Sequence, residues 1–305
     1  MTIAAGFVNR SGVLLCADTL VGDSQQSSYR SKIIGSRFQD GEALFGYCGV
    51  LGFSESAIQR CADVLERYRG RPRKIPAIVD SIRKIWTSAC RDSHGQQTSY
   101  DQIVMAVHSK EEREVALYYS SDRVLAQSTT GFECIGIGDF MCRHLLGGDV
   151  YCGLQADLQR VFELAMCCVA RVKAAMPTAI GGNLMAANLG NDGGLKLFAK
   201  LEIEWVEQYS LKFEQLASYA AFAFTEMAEN SDAVFERVLK ELNRESRSMR
   251  EQWRAERARY AKGKFGMPPA EAYDLMYLFQ QTIEEGKSSP ESTTHDSQCP
   301  PASQE

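Results

Sequence analysis

The sequence predicts an α+β fold in which helices cover two packed sheets. Two observations lead to this class. Short β-leaning apolar runs and longer stretches with helical periodicity follow one another in groups, in the order sheet, two helices, sheet, two helices, sheet. The 305 residues, 45% of them hydrophobic, are also enough to bury a full core. Disorder along the whole chain is therefore excluded.

The chain opens with a predicted β-hairpin. Residues 3–8 and 12–17 are apolar runs on either side of the polar turn at residues 9–12. Strand character continues at residues 31–34 and 42–49, and the second of these runs ends in glycine. These four segments predict the first part of the sheet structure.

Two consecutive helices are predicted next. Apolar side chains recur at three- and four-residue steps from Ser54 to Tyr68 and again from Val79 to Ala89. Strand character returns at residues 103–107, 115–119 and 124–126, with polar turns between them. This return to strands predicts a second sheet.

The remaining part of the core repeats the pattern. Residues 132–138 predict a strand that runs into a glycine turn, and residues 140–146 and 154–175 predict helices. Residues 180–189 and 195–206 then predict a hairpin around an Asn-Asp-Gly-Gly turn.

The composition changes after about residue 225. Between Lys240 and Lys264 the chain has nine Lys or Arg and four Glu, a local balance of +5. A solvated helix that packs one edge on the core or on a neighbour is favoured over a helix that binds an anionic partner. We therefore predict a domain over residues 1–225, a charged helical extension over 226–286 and a disordered Ser/Pro-rich tail over 287–305.

Charge and cysteine spacing exclude several classes of function. The net charge of -5 gives no reason to expect a nucleic-acid partner, and no apolar stretch predicts a membrane span or a secretory signal. The ten cysteines contain no C-x-x-C pair and the four histidines are scattered, so no metal site is predicted. We expect a cytoplasmic protein whose cysteines are mostly reduced core residues, with no metal and no organic cofactor.

Thr2 is the first candidate for chemistry. It follows only the initiator methionine, and removal of Met1 would make it the N-terminal residue. The free α-amine of such a threonine has a pKa of about 7.7 to 8.0, so it can take the proton of its own hydroxyl during attack on a carbonyl.

Three further residues are candidates to assist Thr2 in catalysis. The hairpin that begins after Thr2 returns at Asp18, and Lys32 stands at the head of the next strand. A lysine beside the amine favours its neutral, basic form, and an aspartate holds that lysine in place. Gly49, at the end of an apolar strand, can offer its backbone N-H to a developing oxyanion. The alternative is an ordinary ion pair and an ordinary turn.

These residues resemble the N-terminal nucleophile (Ntn) hydrolases of the proteasome β-subunit type, including bacterial proteasome-like members. Thr2-Ile3, the hairpin ending at Ala17-Asp18, Ser31-Lys32-Ile33 and Gly46-Tyr47-Cys48-Gly49 carry the resemblance, which is good over residues 2–70 and looser to about 210. It implies a four-layer αββα sandwich with Thr2 as nucleophile, Asp18 and Lys32 as its assistants and Gly49 in the oxyanion hole.

The chain departs from that family at three positions. Ile137 stands where the family often has the serine of a Gly-Ser-Gly turn, and Pro177 and Ile180 replace an aspartate and a serine before Gly181-Gly182. Asp139 or a backbone carbonyl is the candidate to replace the missing serine.

The function predicted from the sequence is hydrolysis of peptide bonds by an N-terminal threonine after loss of Met1. A catalytically silent scaffold or assembly subunit, favoured by Ile137, Pro177 and Ile180, is one alternative, and an amidase for small non-peptide amides is the other. The resemblance also implies a peptide or protein substrate, a homo-oligomer such as a ring or stacked rings, and room for an unfoldase or regulator as partner. Neither nucleic acid nor membrane is expected.

Overall fold

The computed structural model describes residues 2–22, 27–49, 51–92, 101–121, 124–146, 156–212 and 232–261. The chain divides into two compact units, Met1–Gln252 and Trp253–Glu305. All of the strands and all of the predicted site residues belong to the first unit. The α+β class predicted from the sequence is confirmed.

The first sheet contains the N-terminal hairpin at its centre. Its strand order is β10-β1-β2-β11-β12, with antiparallel pairing throughout. The predicted opening hairpin is confirmed, because Ala4 pairs with Ala17 and Asn9 pairs with Gly12. The strands are β1 (Ile3–Asn9), β2 (Gly12–Asp18), β10 (Phe132–Gly136), β11 (Leu184–Gly190) and β12 (Leu195–Leu197).

The second sheet is an antiparallel meander in the order β5-β6-β7-β8-β9. Its strands are β5 (Ile33–Phe38), β6 (Gly41–Cys48), β7 (Gln102–Ser109), β8 (Glu114–Ser121) and β9 (Val124–Gln127). A short ribbon of β3 (Leu20–Gly22) and β4 (Ser27–Tyr29) lies in sequence between β2 and β5.

Six helices are described. They are α1 (Leu51–Arg67), α2 (Ile75–Asp92), α3 (Asp139–Leu146), α4 (Leu158–Ala175), α5 (residues 200–212, as far as the structure describes it) and α6 (Asp232–Ala261). The strand predicted over residues 195–206 is therefore wrong beyond Leu197. Buried Ile203, Val206 and Tyr209 recur at three-residue steps, which suits one face of a helix and not the alternation of a strand.

Apolar side chains fill the spaces between these elements. One buried cluster combines residues of both sheets, such as Ala4 and Leu15 with Val104 and Leu117. A second cluster lies between the second sheet and helices α1 and α2, and the fully buried Trp86 is its largest member. Helix α4 contacts β1, β2 and β11 of the first sheet. Helices thus pack against each of the two sheets.

The cysteines behave as the sequence analysis expects. Of the eight that the structure describes, seven are buried and Cys167 is half-buried, and all eight are free thiols. Within the described part of the chain, no group of three or more His, Cys, Asp and Glu side chains is placed to hold a metal ion.

The C-terminal region is described only over α6. Within the charged extension predicted over residues 226–286, Asp232–Ala261 is helical, and none of its side chains that the structure describes is buried. The remainder of the predicted extension and the predicted tail over residues 287–305 lie outside the described residues. No helix in the described ranges is both long enough and apolar enough to cross a membrane.

Candidate functional site

The pairing of β1 with β2 brings the first site residues together. Thr2 directly precedes β1, and Asp18 is the last residue of β2. Because β1 and β2 pair antiparallel within the hairpin, the start of β1 and the end of β2 lie side by side at the same end of the sheet. Lys32 directly precedes β5 of the second sheet, and its side chain reaches the same end.

Asp18 is the centre of this arrangement. Its carboxylate is fully buried, at 0% exposure. One oxygen, Oδ1, accepts hydrogen bonds from the Thr2 hydroxyl at 2.9 Å, the Ile3 N-H at 3.1 Å and the Lys32 ammonium at 2.8 Å. The other oxygen, Oδ2, accepts from the Gly181 N-H at 3.1 Å. Four donors therefore fix this carboxylate and compensate for the loss of its water.

Lys32 is nearly as deeply buried, at 3% exposure. Its Nζ donates to Asp18 and also to the Leu20 carbonyl. Burial lowers the pKa of Lys32 below its ordinary value, and the nearby Asp18 carboxylate acts in the opposite direction. A proton therefore leaves this lysine more readily than it leaves a lysine in water.

Thr2 is 4% exposed, and its hydroxyl is oriented by Asp18. Its carbonyl accepts a hydrogen bond from the Ile137 N-H at 3.1 Å. Met1, whose removal the sequence analysis predicts, lies outside the described residues. The side chain and the main chain of Thr2 are thus both held by specific partners.

Gly49 has a backbone that only glycine adopts easily. Its φ is +111°, and a Cβ built there would lie 2.1 Å from Oδ1 and 2.6 Å from Cα of Asp101. The residue is exposed at the end of β6. Among the described contacts, none joins Gly49 to Thr2 directly. The preceding residue, Cys48, and Thr2 both lie next to Gly136, where a Cβ would be 3.4 Å from the Cys48 Cβ and 2.3 Å from the Thr2 carbonyl oxygen.

The turn after β10 has Ile137 in place of the family's serine and contacts Thr2 through its backbone. Ile137 is 38% exposed, and its N-H, not its side chain, reaches Thr2. Asp139, a candidate for the serine's role, has its Oδ1 in an ion pair with Arg143 at 2.5 Å on the next turn of α3. Burial raises the pKa of Asp139, and Arg143 opposes that effect.

Gln102, which no sequence motif singles out, contacts the turn beside Thr2. Its Oε1 accepts from the Gly136 N-H at 3.0 Å and lies 3.7 Å from the Cys48 Sγ. Because Gln102 lies in the second sheet and Gly136 in the first, this side chain joins the two sheets beside Thr2. A single glutamine at the head of an apolar run carries no signal that could have identified it.

Asp101 and Ser54 fix the other side of the Gly49 turn. The Ser54 hydroxyl donates to the Cys48 carbonyl at 3.1 Å and contacts the Asp101 Oδ1 at 3.4 Å. All of these groups are buried. The position of Gly49 therefore depends on a small polar network that neither composition nor spacing reveals.

Pro177 and Ile180 lie on the side of the site that faces α4 and α5. Together with Gly181 they line a cavity of about 340 Å³, whose wall includes Lys173 and Glu207. These two side chains form an ion pair at 2.6 Å. Positions 177 and 180 thus carry apolar side chains, and the contact of this segment with the Asp18 carboxylate is made by the Gly181 N-H.

No protein-family model and no curated protein matches the sequence. Among solved structures, Anbu (ancestral beta-subunit) from Yersinia bercovieri is 11% identical, covers 72% of this chain and 97% of its own, and has a TM-score of 0.60. An Anbu (Gly-1) mutant from Hyphomicrobium sp. strain MC1 is 14% identical, covers 74% of this chain and 100% of its own, and has a TM-score of 0.59.

A third similar structure is described as the helical assembly of the Anbu complex from Pseudomonas aeruginosa. It is 11% identical, covers 71% of this chain and 95% of its own, and has a TM-score of 0.56. At such identities the likeness shows the fold and no more. About a quarter of this chain has no counterpart in these structures.

These neighbours correct the family suggested by the sequence. The assignment to the proteasome β-subunit type is wrong, because the similar structures are Anbu proteins, a distinct and proteasome-like family. The error has a physical reason. The residues that carried the resemblance form the opening hairpin and the Asp18–Lys32 contact, which together make up one sheet edge and a small part of the chain.

Proposed function

We propose that this protein is an N-terminal threonine hydrolase that cleaves peptide bonds after loss of Met1. The observation that carries the proposal is the convergence of the Thr2 hydroxyl and the Lys32 ammonium on one oxygen of the buried Asp18 carboxylate. A structural ion pair needs no threonine hydroxyl at this place. The proteasome-like neighbours support the same class of chemistry by their fold alone.

The proposed reaction begins with attack by Thr2 Oγ1 on the substrate carbonyl. The α-amine exposed by loss of Met1 accepts the hydroxyl proton through a water molecule and then passes it to the leaving amine. Lys32 keeps that amine neutral by its positive charge, and Asp18 holds Lys32 and orients the hydroxyl. Water afterwards hydrolyses the acyl ester on Thr2.

Gly49 is proposed as the oxyanion donor. Its exposed position at the end of β6 leaves room for a substrate carbonyl, and its positive φ turns the peptide away from the strand direction. Preorganised backbone donors of this kind contribute about 2.7 to 4 kcal/mol to acyl transfer. The buried polar groups of Ser54 and Asp101 keep the turn in this conformation.

We also propose how the chain is divided into domains and that it self-associates. We propose the four-layer αββα Ntn-hydrolase sandwich over residues 1–225, the helical extension over 226–286, the tail over 287–305 and a cytoplasmic homo-oligomer. The two sheets that share one apolar core, with α1 and α2 on one side and α4 on the other, support the sandwich. The described helical assembly of a neighbour supports self-association.

A scaffold subunit without activity is the second candidate. Ile137, Pro177 and Ile180 favour it, because the structure has apolar side chains where polar support for the amine was expected. A peptidyl epoxyketone distinguishes the two, since it bonds both the hydroxyl and the amine of an N-terminal threonine. The hydrolase predicts an adduct on Thr2 in the wild type, no adduct in Thr2→Ala, and a slower adduct in Thr2→Ser.

The same experiment needs a control for folding. Asp40→Asn removes a buried carboxylate that pairs with Arg73 at 2.6 Å and is not part of the Thr2 group. We expect Asp40→Asn to lose stability but to keep the adduct. An unlabelled wild type that has lost Met1 would support the scaffold. Profiling with peptide and small-amide libraries then separates a peptidase from an amidase.

A further inference from the structure

Four buried cysteines from four different elements lie close to one another. Cys16 belongs to β2, Cys134 to β10, Cys142 to α3 and Cys168 to α4. Burial, followed by the proximity of Cys142, raises the pKa of both Cys16 and Cys168. Cys142 is therefore the common neighbour of the group, and none of the four takes part in the proposed hydrolysis.

Two of these sulfurs are in direct contact. The Cys134 thiol donates a hydrogen bond to the Cys142 sulfur, with the two Sγ atoms 3.0 Å apart. A disulfide bond is about 2.05 Å long, so a shift of about 1 Å would bring the sulfurs to bonding distance. We propose that Cys134 and Cys142 are a modification site, at which a small peroxide converts the two thiols into a disulfide.

The hydrogen bond assigns a role to each sulfur. Because Cys134 donates and Cys142 accepts, the proton of Cys134 lies between the two sulfurs and is held in the contact. Consistently, the hydrogen bond to Cys142, followed by burial, raises the pKa of the Cys134 thiol. Cys142 is the attacking sulfur, and Cys134 is the sulfur that resolves the intermediate.

The reaction balances with hydrogen peroxide as the only oxidant. The Cys142 thiolate bonds to one peroxide oxygen, the O-O bond breaks, and the departing hydroxide takes up the proton that Cys142 had released, which gives a sulfenic acid and one water. Cys134 then bonds to the Cys142 sulfur, the S-O bond breaks, and the departing hydroxide takes the Cys134 proton as a second water. Two thiols lose two electrons and two protons, and the peroxide is reduced.

Burial determines which oxidants can act. Both cysteines are almost completely inaccessible in the folded protein. A small neutral peroxide needs only a brief local opening to reach Cys142, whereas a disulfide reagent such as oxidised glutathione must bring its own sulfur into line with the thiolate. We therefore expect peroxide, and not oxidised glutathione, to close the pair.

The disulfide would brace the turn that contacts Thr2. Residues 134 and 142 flank the turn at Gly136, Ile137 and Gly138, and the Ile137 N-H binds the Thr2 carbonyl. The modification itself does not depend on the proposed hydrolase, since it needs no activity of Thr2. Its test and the test of hydrolysis can therefore fail separately.

The test is peptide mapping of the folded, full-length protein after exposure to hydrogen peroxide. Trypsin leaves both cysteines in one peptide, residues 124–143, because Arg123 and Arg143 flank it and no Lys or Arg lies between. We expect this peptide to lose the mass of two hydrogen atoms, to regain it with a phosphine reductant, and to remain unchanged after oxidised glutathione. Oxidation of Met141 would instead add oxygen to the peptide.

The controls make every outcome decisive. Cys134→Ala should abolish the mass loss, and Cys61→Ala, which removes a buried thiol from the other apolar cluster, should preserve it. Conversion of Cys142 to a sulfinic acid without a disulfide, or a cross-link from Cys142 to Cys16 or Cys168, would overturn the proposal. Equal closure by peroxide in the urea-unfolded wild type would also overturn it, and this arm requires no variant to fold.

Discussion

Replacement of Asp18 by asparagine tests how the site is held together. The carboxylate is fully buried and accepts from the Thr2 hydroxyl, the Lys32 ammonium and two backbone N-H groups. Asparagine has nearly the same shape as aspartate, but its NH2 group replaces one of the two accepting oxygens and cannot accept a hydrogen bond. The substitution also leaves the buried Lys32 ammonium without its counter-charge. Breaking one partner of a buried pair costs about 3 to 5 kcal/mol.

The assay is equilibrium unfolding in urea, monitored by tryptophan fluorescence, to which the fully buried Trp86 contributes. Asp40→Asn provides the matched control, because Asp40 is equally buried and pairs with Arg73 through both oxygens, at 2.6 and 3.3 Å. Both variants should lose stability, but only Asp18→Asn should lose labelling of Thr2.

The change of the free energy of unfolding with pH is a second measurement, and its direction follows from the pKa of Lys32. Burial lowers the pKa of Lys32 below its ordinary value of 10.5, so the unfolded chain binds more protons between the folded and unfolded pKa values. The free energy of unfolding therefore rises with pH through that window. Loss of Asp18 removes the effect that raises the Lys32 pKa, so the window should extend to lower pH in Asp18→Asn. If Asp18→Asn lowers the free energy of unfolding by less than about 1 kcal/mol, or by an amount that does not change with pH, Asp18 does not stabilise the charged form of Lys32 in the folded protein.

Two further predictions concern the residues around Thr2. Gly49→Ala should lower the free energy of unfolding by about 2 kcal/mol or more and abolish labelling of Thr2, because its Cβ would lie 2.6 Å from the Asp101 Cα. As a control, Gly52→Ala in α1 places a Cβ where nothing lies within 4 Å, and it should be neutral or stabilising in the same urea titration. Gln102→Leu should slow epoxyketone labelling about tenfold, because it removes the acceptor of the Gly136 N-H, while Gln102→Glu keeps an acceptor and should stay closer to the wild-type rate. Unchanged labelling in Gln102→Leu would remove Gln102 from the site.

Much of this site could be predicted because its residues lie at the ends of recognisable strands. The alternation and the turn of the opening hairpin place Asp18 beside Thr2, and the head of the next strand places Lys32 near them. Each relation follows from local pattern and strand pairing. The structure confirms these contacts, whereas the catalytic roles stay predictions.

The rest of the site depends on contacts between distant segments. The Gly181 N-H reaches Asp18 across 163 positions, and Gln102 reaches Gly136 across 34 positions. No local pattern encodes such contacts. The strand predicted over residues 195–206 failed for a related reason, since the burial of Ile203 and Val206 selects a helical face that only the packed structure reveals.

The family assignment failed because shared strand ends do not distinguish related folds. The hairpin and the Asp18–Lys32 pair describe one sheet edge, while the Anbu likeness depends on more than two thirds of the chain. Ile137, Pro177 and Ile180 were the residues that already separated this chain from the proteasome β-subunit pattern.

The most direct test of the central claim is the intact mass of the natively purified protein before and after reaction with a peptidyl epoxyketone. If Thr2 is the nucleophile, the untreated protein lacks the mass of one methionine residue and the treated protein gains one probe, which fragmentation places on Thr2. A protein that retains Met1 would contradict the account, because Thr2 would then have no free amine to act as base.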